Sequence, residues 1–287
     1  MRFVCLLLVY LVASHPGRAG SPQPPLRFHN DPLLNQVALA WRRFLPYPFT
    51  QTSANTLTAI QALVHGQADI IAVRRPMTCG EQAQFRQFRR LPLLSVPIGL
   101  TAIGLFVNRL SSLQSLSLSQ LEALFSASRS CHYPPPESIP HSRQLYGLSL
   151  AIGSHTHFTR LALCGGALKP QVTLLSSDTK VVETVAREPG TLGYANSSLG
   201  GFEGVRLLAL RRKAGDPPIH PTSPNLLMGN YPLTHYLYLH LAGNGTNTLA
   251  FARYVLSDQG QSQLARYGFT PLPRPLRQRL LLTLEDH

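Results

Sequence analysis

Residues 151–160 read AIGSHTHFTR, which gathers Gly153, Ser154, His155, Thr156 and His157 into five consecutive positions. Three chemistries could use such a cluster. Ser154 beside His155 has the parts of an activated nucleophile, but the Gly-x-Ser-x-Gly elbow is missing. A histidine next to its serine cannot easily present its ring as a base where the chain turns into a helix. His155 and His157 could ligate a metal only with a third ligand such as His29 or Asp31, and His-x-His alone is a common accident. The third option is an oxyanion, held by N–H groups at a helix start, by the Ser154 and Thr156 hydroxyls, and by full charge from Arg74 or Arg75. The plainer alternatives are that Ser154 and Thr156 merely cap the helix, and that one of the two arginines pairs with Asp31 or Asp69 rather than facing a ligand. No catalytic residue, metal or cofactor is expected.

The cluster needs elements to position it, and the chain repeats one grammar. LRFHND reads as a strand ending in a polar loop, and PLLNQVALAWRRFL follows with helical apolar spacing. Asn55 or Thr56 can cap a helix running to about His65, Gly66 stops it, and Ala68–Val73 is a short buried strand ending at Arg74 and Arg75. LYGLSLAI, GSHT and HFTRLALCGG repeat strand, loop and helix. Such alternation implies an α/β sheet with ligands at the carboxyl ends of strands, against helix N-termini. LLSVPIGLTAIGLFVN, interrupted by Pro97, Gly99 and Gly104, reads as two consecutive crossing strands. GVRLLAL and YPLTHYLYLHLA read as later strands, and the segment from Thr248 is helical up to Gly268.

The chain has 287 residues, 44% of them hydrophobic, enough for one large core or two modest ones. Arg2, the apolar run Phe3–Val12 and small residues around Gly17–Ala19 predict a cleaved signal peptide over residues 1–19, hence a periplasmic or secreted protein. The formal charge is +13, and loss of Arg2 and Arg18 would leave +11, since that segment has no carboxylate. This balance favours anionic partners. Basic residues are scattered without a nucleic-acid module, so no nucleic acid is expected. Cys131 and Cys164 are the most plausible pair in an oxidising compartment, with Cys79 left over; three buried thiols are the alternative.

Taken in order, several phrases resemble the PstS-like phosphate-binding proteins of bacterial phosphate ABC transporters, which have the type 2 periplasmic-binding-protein fold. They are TAIQALVHGQADIIAVRRPM, VPIGLTAIGLFVN, LSLSQLEALFS, GSHTHFTRLAL, EPGTLGY, GNYPLTHYLYLHL and FARYVLSDQGQSQLARYGFTPL, spread from about Leu26 to Pro273. The resemblance implies a two-lobed α/β protein, each lobe a mixed sheet flanked by helices, joined by two crossover strands. Lobe 1 would take residues 20–98 and 206–287, and lobe 2 residues 99–205. It implies a ligand set of Asn30, Asn55, Thr56, Arg74, Arg75, Ser154, His155 and Thr156. Several of these depart from the family's motifs: Asn55-Thr56-Leu57 replaces Gly-Ser-Gly, Arg74-Arg75 replaces Ser-Arg, Ser154-His155-Thr156 replaces Ser-Gly-Thr, and the family's preceding arginine is absent. A His155 protonated near neutrality would add a cation to that site. The function implied is that of a monomer binding inorganic phosphate or a similar oxyanion in an inter-lobe cleft, for an ABC permease or a signalling membrane protein. The competing expectation is an interaction or scaffold protein that kept the fold with a degenerate cleft.

Overall fold

In a computed structural model, residues 25–285 are described except 45, 46, 137 and 143. The expected signal peptide therefore lies outside the described residues.

The strand, loop, helix grammar is realised, with side-chain caps at several of the helix starts. β1 (Leu26–Asn30) runs through a 3-10 turn (Pro32–Leu34) into α1 (Asn35–Arg42), and β2 (Phe49–Ser53) leads to α2 (Thr56–Val64). The Asn55 side chain accepts from Thr58 N at the start of α2, and Gly66 follows its end at φ +76°, a left-handed conformation suited to glycine. β3 (Ile70–Val73) leads to α3 (Cys79–Arg89), closed by a reciprocal Thr78–Glu81 capping box. Next come β4 (Leu93–Asn108), β5 (Ser115–Ser117), α4 (Leu118–Phe125), β6 (Gln144–Leu148) and α5 (Gly153–Ala162). β7 (Val172–Leu175), α6 (Asp178–Arg187), β8 (Thr191–Asn196), β9 (Val205–Leu207) and β10 (Ala209–Arg211) complete the second half of the fold. The chain returns through α7 (Ser223–Leu227), β11 (Thr234–Ala242), α8 (Thr246–Leu256), α9 (Asp258–Arg266) and α10 (Arg274–Glu285). The basic tail is thus helical from Arg274, and Arg277 fixes it by bonding the Leu256 carbonyl and Asp258.

The strands follow the order β2-β1-β3-β11-β4-β8-β6-β7. The expected pair of crossing strands at residues 93–108 is one strand, β4. Its first part pairs with β11 over Leu93–Ala102 and its last part with β8 over Ile103–Val107. The two lobes are therefore two half-sheets sharing a strand rather than fully separate sheets. Pro97 does not break it because the ladder shifts register there, between Leu237 and Tyr238, where a missing N–H is tolerated. The return crossing was expected near residues 194–208. β9, however, pairs with Phe106–Asn108 of β4 in the second half-sheet, β10 pairs with β5 in a separate two-stranded sheet, and the chain rejoins the first half-sheet at β11. Phe28, Trp41 and Phe251 fill the first lobe and Phe125, Phe158 and Tyr194 the second, all fully buried and part of one contiguous apolar cluster. Cys131 and Cys164 are bridged, tying the loop after α4 to the end of α5, and Cys79 is free and exposed. No helix among the described residues is long and apolar enough to cross a membrane.

Candidate functional site

Five strand-to-helix turns converge where the lobes meet. From lobe 1 come Asp31 after β1, Asn55 and Thr56 at the start of α2, and Arg74 after β3. From lobe 2 come Gly153 and Ser154 at the start of α5 and Ser177 and Asp178 at the start of α6. Arg74 is the centre. Only 2% exposed, it places Nη1 2.9 Å from Ser154 Oγ and 2.7 Å from Asp178 Oδ2, while Nε lies 3.0 Å from Asp31 Oδ2. Thr56 donates to the same Asp31 oxygen at 3.1 Å, and Asp178 Oδ1 accepts from Asn196 N at 2.8 Å. A direct backbone bond, Leu57 N to Ala151 O at 3.3 Å, closes the lobes beside it.

Close approach explains why position 153 is glycine. A Cβ there would lie 2.9 Å from Thr56 Oγ1 and 3.2 Å from the Arg74 Cβ. The first turn of α5 also lacks a side-chain cap. Its N-cap is Ile152, and neither Ser154 nor Thr156 caps the helix, so the N–H end of α5 faces Arg74 with the Ser154 hydroxyl added. Beside the cluster lies a cavity of about 100 Å³, lined by Leu33, Asn55, Arg74, Ile152, Ser177 and Thr179 among others.

One guanidinium between two carboxylates gives the site its electrostatic character. Burial pulls the Arg74 pKa down, but Asp178 and Asp31 outweigh it and hold the side chain charged, above its ordinary value. Burial pushes the Asp31 carboxyl above its usual range; Asp178 adds to this, and Arg74 opposes it without prevailing.

Of the eight sequence-derived candidates, Thr56, Arg74 and Ser154 meet directly, and Asn55 lines the adjoining cavity while capping α2. Asn30 is buried at the end of β1, donating to the Asp31 carbonyl and accepting from Gln51, so it shapes the Asp31 turn. The other three point elsewhere. Arg75 forms a two-pronged ion pair with Glu81, at 2.8 and 2.7 Å. Thr156 is exposed and lines a different cavity, because two residues along a helix turn a side chain to the opposite face. His155 turns into lobe 2, where Nδ1 donates to the Leu148 carbonyl at 2.7 Å; burial lowers its pKa, so it supplies no cation near neutrality. The expected pairing of an arginine with Asp31 is met by Arg74, which nonetheless faces the cleft, while Asp69 pairs with Arg27. Asp178 was missed. Its signal is Ser176-Ser177-Asp178 after β7, a polar turn before a helix like the other four. Among the described residues no group of three His, Cys, Asp or Glu could hold a metal ion, and the imidazole beside Ser154 is turned away toward Leu148.

The phosphate-binding protein PstS of Pseudomonas aeruginosa is 27% identical over 271 residues, covering 88% of this chain and 83% of that protein. Among solved structures, a putative phosphate ABC transporter substrate-binding protein from Clostridium perfringens, with bound phosphate, superposes with a TM-score of 0.70 at 13% identity. It covers 87% of this chain and 100% of its own. An ABC-type phosphate transport receptor from Vibrio cholerae gives a TM-score of 0.63 at 15% identity, over 86% of this chain and 100% of its own. These structures share the two-lobed fold. A family model described as a PBP superfamily domain matches residues 29–259, most of the chain, and on that match the protein belongs to the PBP superfamily and is PstS-like.

Proposed function

We propose that the protein binds inorganic phosphate, or a closely similar protonated oxyanion, between its lobes, and passes it to a membrane permease of the ABC class after export. It acts as a binding protein rather than an enzyme. The observation that carries this reading is the buried Arg74, shared between Ser154 and Asp178 of one lobe and Asp31 of the other at the meeting of five strand-to-helix turns. Guanidinium, hydroxyls and helix N–H groups together are the donor set an oxyanion needs. The two carboxylates add a condition. Both accept hydrogen bonds when ionised, so an anion entering between them must bring a proton of its own. Phosphate carries one at neutral pH and sulfate does not, so phosphate is preferred.

The same carboxylates give the scaffold reading its one specific support: they already neutralise Arg74 with the lobes in contact. Calorimetric titration with phosphate and with sulfate decides between the two. Phosphate should bind and sulfate should bind far more weakly. Thr56→Ala with Ser154→Ala should weaken phosphate by at least about tenfold, since each hydrogen bond to a charged group contributes roughly 1.5–3 kcal/mol, whereas Thr156→Ala should change nothing. No phosphate binding by the parent protein would leave the scaffold reading standing.

A further inference from the structure

The lobe 1 sheet has two ends, and the Arg74 cluster occupies one of them. β1, β2 and β3 run parallel, and beside their N-terminal ends β4 starts and β11 finishes. At that far end Asp69 N donates to the Arg27 carbonyl, Ala242 N to the Asp69 carbonyl and Gly243 N to the Pro92 carbonyl, each at 2.8 Å. The helices that leave the cleft end finish here as well. α1 stops at Arg42 and is followed by Arg43 and Phe44, α2 stops just before Gly66, and α3 stops at Arg89 and is followed by Arg90 and Leu91. Arg89 lies over Gly66 and Leu91 beside Gly243, so these turns form one face.

That face is strongly basic. Its segments, residues 26–29, 40–49, 64–70 and 86–94, contain six arginines and one carboxylate, Asp69, and six against one leaves +5. Arg27 is fully engaged, with two prongs on Asp69 at 3.0 and 2.6 Å and a third on the Gly66 carbonyl at 2.6 Å. The ion pairs among the described residues include none of Arg42, Arg43, Arg86, Arg89 and Arg90. Arg90 ends α3 in the left-handed conformation, φ 52°, where glycine is the usual residue. Apolar side chains stand among these charges: Phe44, Phe88 and Leu91 are 47%, 56% and 41% exposed. Phe88 rests on the exposed His65 ring, centroid to centroid 5.2 Å, and Phe44 on Tyr254 at 5.9 Å, so both rings are held in place at the surface.

Unpaired arginines and raised apolar side chains in one face call for a surface that offers anions and an apolar layer together. We infer that the far end of lobe 1 is a docking face for an anionic phospholipid surface. The arginine heads meet lipid phosphates while Phe44, Phe88 and Leu91 enter the boundary between headgroups and acyl chains. An acidic protein would supply the charge, but a protein interface is built around a continuous core depleted of charge. Here Phe44, Phe88 and Leu91 each lie within two positions of an arginine on the chain. A molecule held this way turns the Arg74 end of the lobe away from the bilayer.

The probes are vesicles of equimolar phosphatidylglycerol and phosphatidylcholine, and vesicles of phosphatidylcholine alone, sedimented with the full chain. Binding to the anionic vesicles should be at least about tenfold tighter, and about 1 M salt should largely abolish it, because charges are then screened within about 3 Å. Arg43→Gln, Arg86→Gln and Arg90→Gln together should weaken it by more than about tenfold. Removing three exposed cations from lobe 2 instead, by Arg109→Gln, Lys180→Gln and Arg187→Gln, should weaken it by no more than about twofold. Phe88→Ser with Leu91→Ser should weaken it about tenfold. All these positions but none of the core are altered, and circular dichroism should show each variant folded as the parent. Residues 1–24 are common to every variant, so any affinity of theirs for lipid cancels. Equal binding to the two kinds of vesicle, or equal losses from the lobe 1 and lobe 2 charge variants, would overturn the inference. So would binding indifferent to Phe88→Ser with Leu91→Ser, which would mark a face that attracts any anionic partner without entering a bilayer. None of these outcomes depends on whether the cleft binds phosphate.

Discussion

Replacing Arg74 by methionine tests the centre of the structure without assuming any ligand. The substitution keeps most of the side-chain volume and removes the guanidinium placed against Asp31 and Asp178, which are 0% and 2% exposed. Removing one partner of a buried ion pair leaves an uncompensated charge and costs roughly 3–5 kcal/mol. For a chain of this size that corresponds to a fall of about 6–20 °C in melting temperature. The penalty should depend on pH in a definite direction. Without Arg74 the Asp31 carboxyl, which burial already holds above its ordinary range in the parent protein, loses the cation that opposes that rise. The folded variant therefore holds protons more tightly than its unfolded chain. Its deficit is absent below the ordinary carboxylate range and grows as pH rises through the elevated folded values. Urea unfolding at about pH 7 and about pH 4.5 should show a large gap from the parent at the first and a smaller one at the second. Adding Asp31→Asn and Asp178→Asn to the same chain should restore most of the lost stability. A penalty below about 1 kcal/mol at neutral pH, or one that does not shrink on acidification, would mean that Arg74 does not bridge the lobes as described.

Gly153→Ala should leave the lobes folded but hold them apart, since the added Cβ meets Thr56 and Arg74; small-angle scattering should show a larger radius, and phosphate binding should fall. Reduction of Cys131–Cys164, 33 residues apart, should cost about 3–4 kcal/mol in denaturant unfolding by loss of loop constraint, while alkylating Cys79 should cost little. His157 and His240 are lowered to about 4, chiefly by burial, and so stay neutral in the fold. The unfolded chain protonates first, and stability should decline as pH falls from about 6.5 toward 4, by roughly 3 kcal/mol per histidine at most, with His240→Gln flattening that slope.

The sequence disclosed the strand, loop, helix repeats because their signals are local: Asn55 as a cap, Gly66 as a stop, and short apolar runs that become β1, β3 and β6. Arg74 and Ser154 were legible for the same reason, as each follows directly from a strand end or helix start. What escaped depends on distant chain. Pro97 and Gly99 look like interruptions until β11 supplies the register shift that accommodates them. Arg75 and Arg74 are adjacent and alike, yet only the position of Glu81 on α3 decides which one faces the other lobe. The orientation of His155 was set by a carbonyl, Leu148 O, and backbone acceptors leave no trace in residue type. Asp178 carried a local signal, but its partner lies 104 positions away.

The single long strand β4 bears on how such a molecule can be taken apart. Val96 and Ile98 belong to one half-sheet and Leu105 and Phe106 to the other, yet no peptide bond between them can be cut without opening a ladder that both halves need. Either half produced alone would present a stretch of unpaired strand edge, a template for self-association. The lobes are therefore not interchangeable cassettes. Insertions belong in the peripheral loops, recombination between related chains should keep residues 93–108 from a single parent, and unfolding should proceed as one event rather than lobe by lobe.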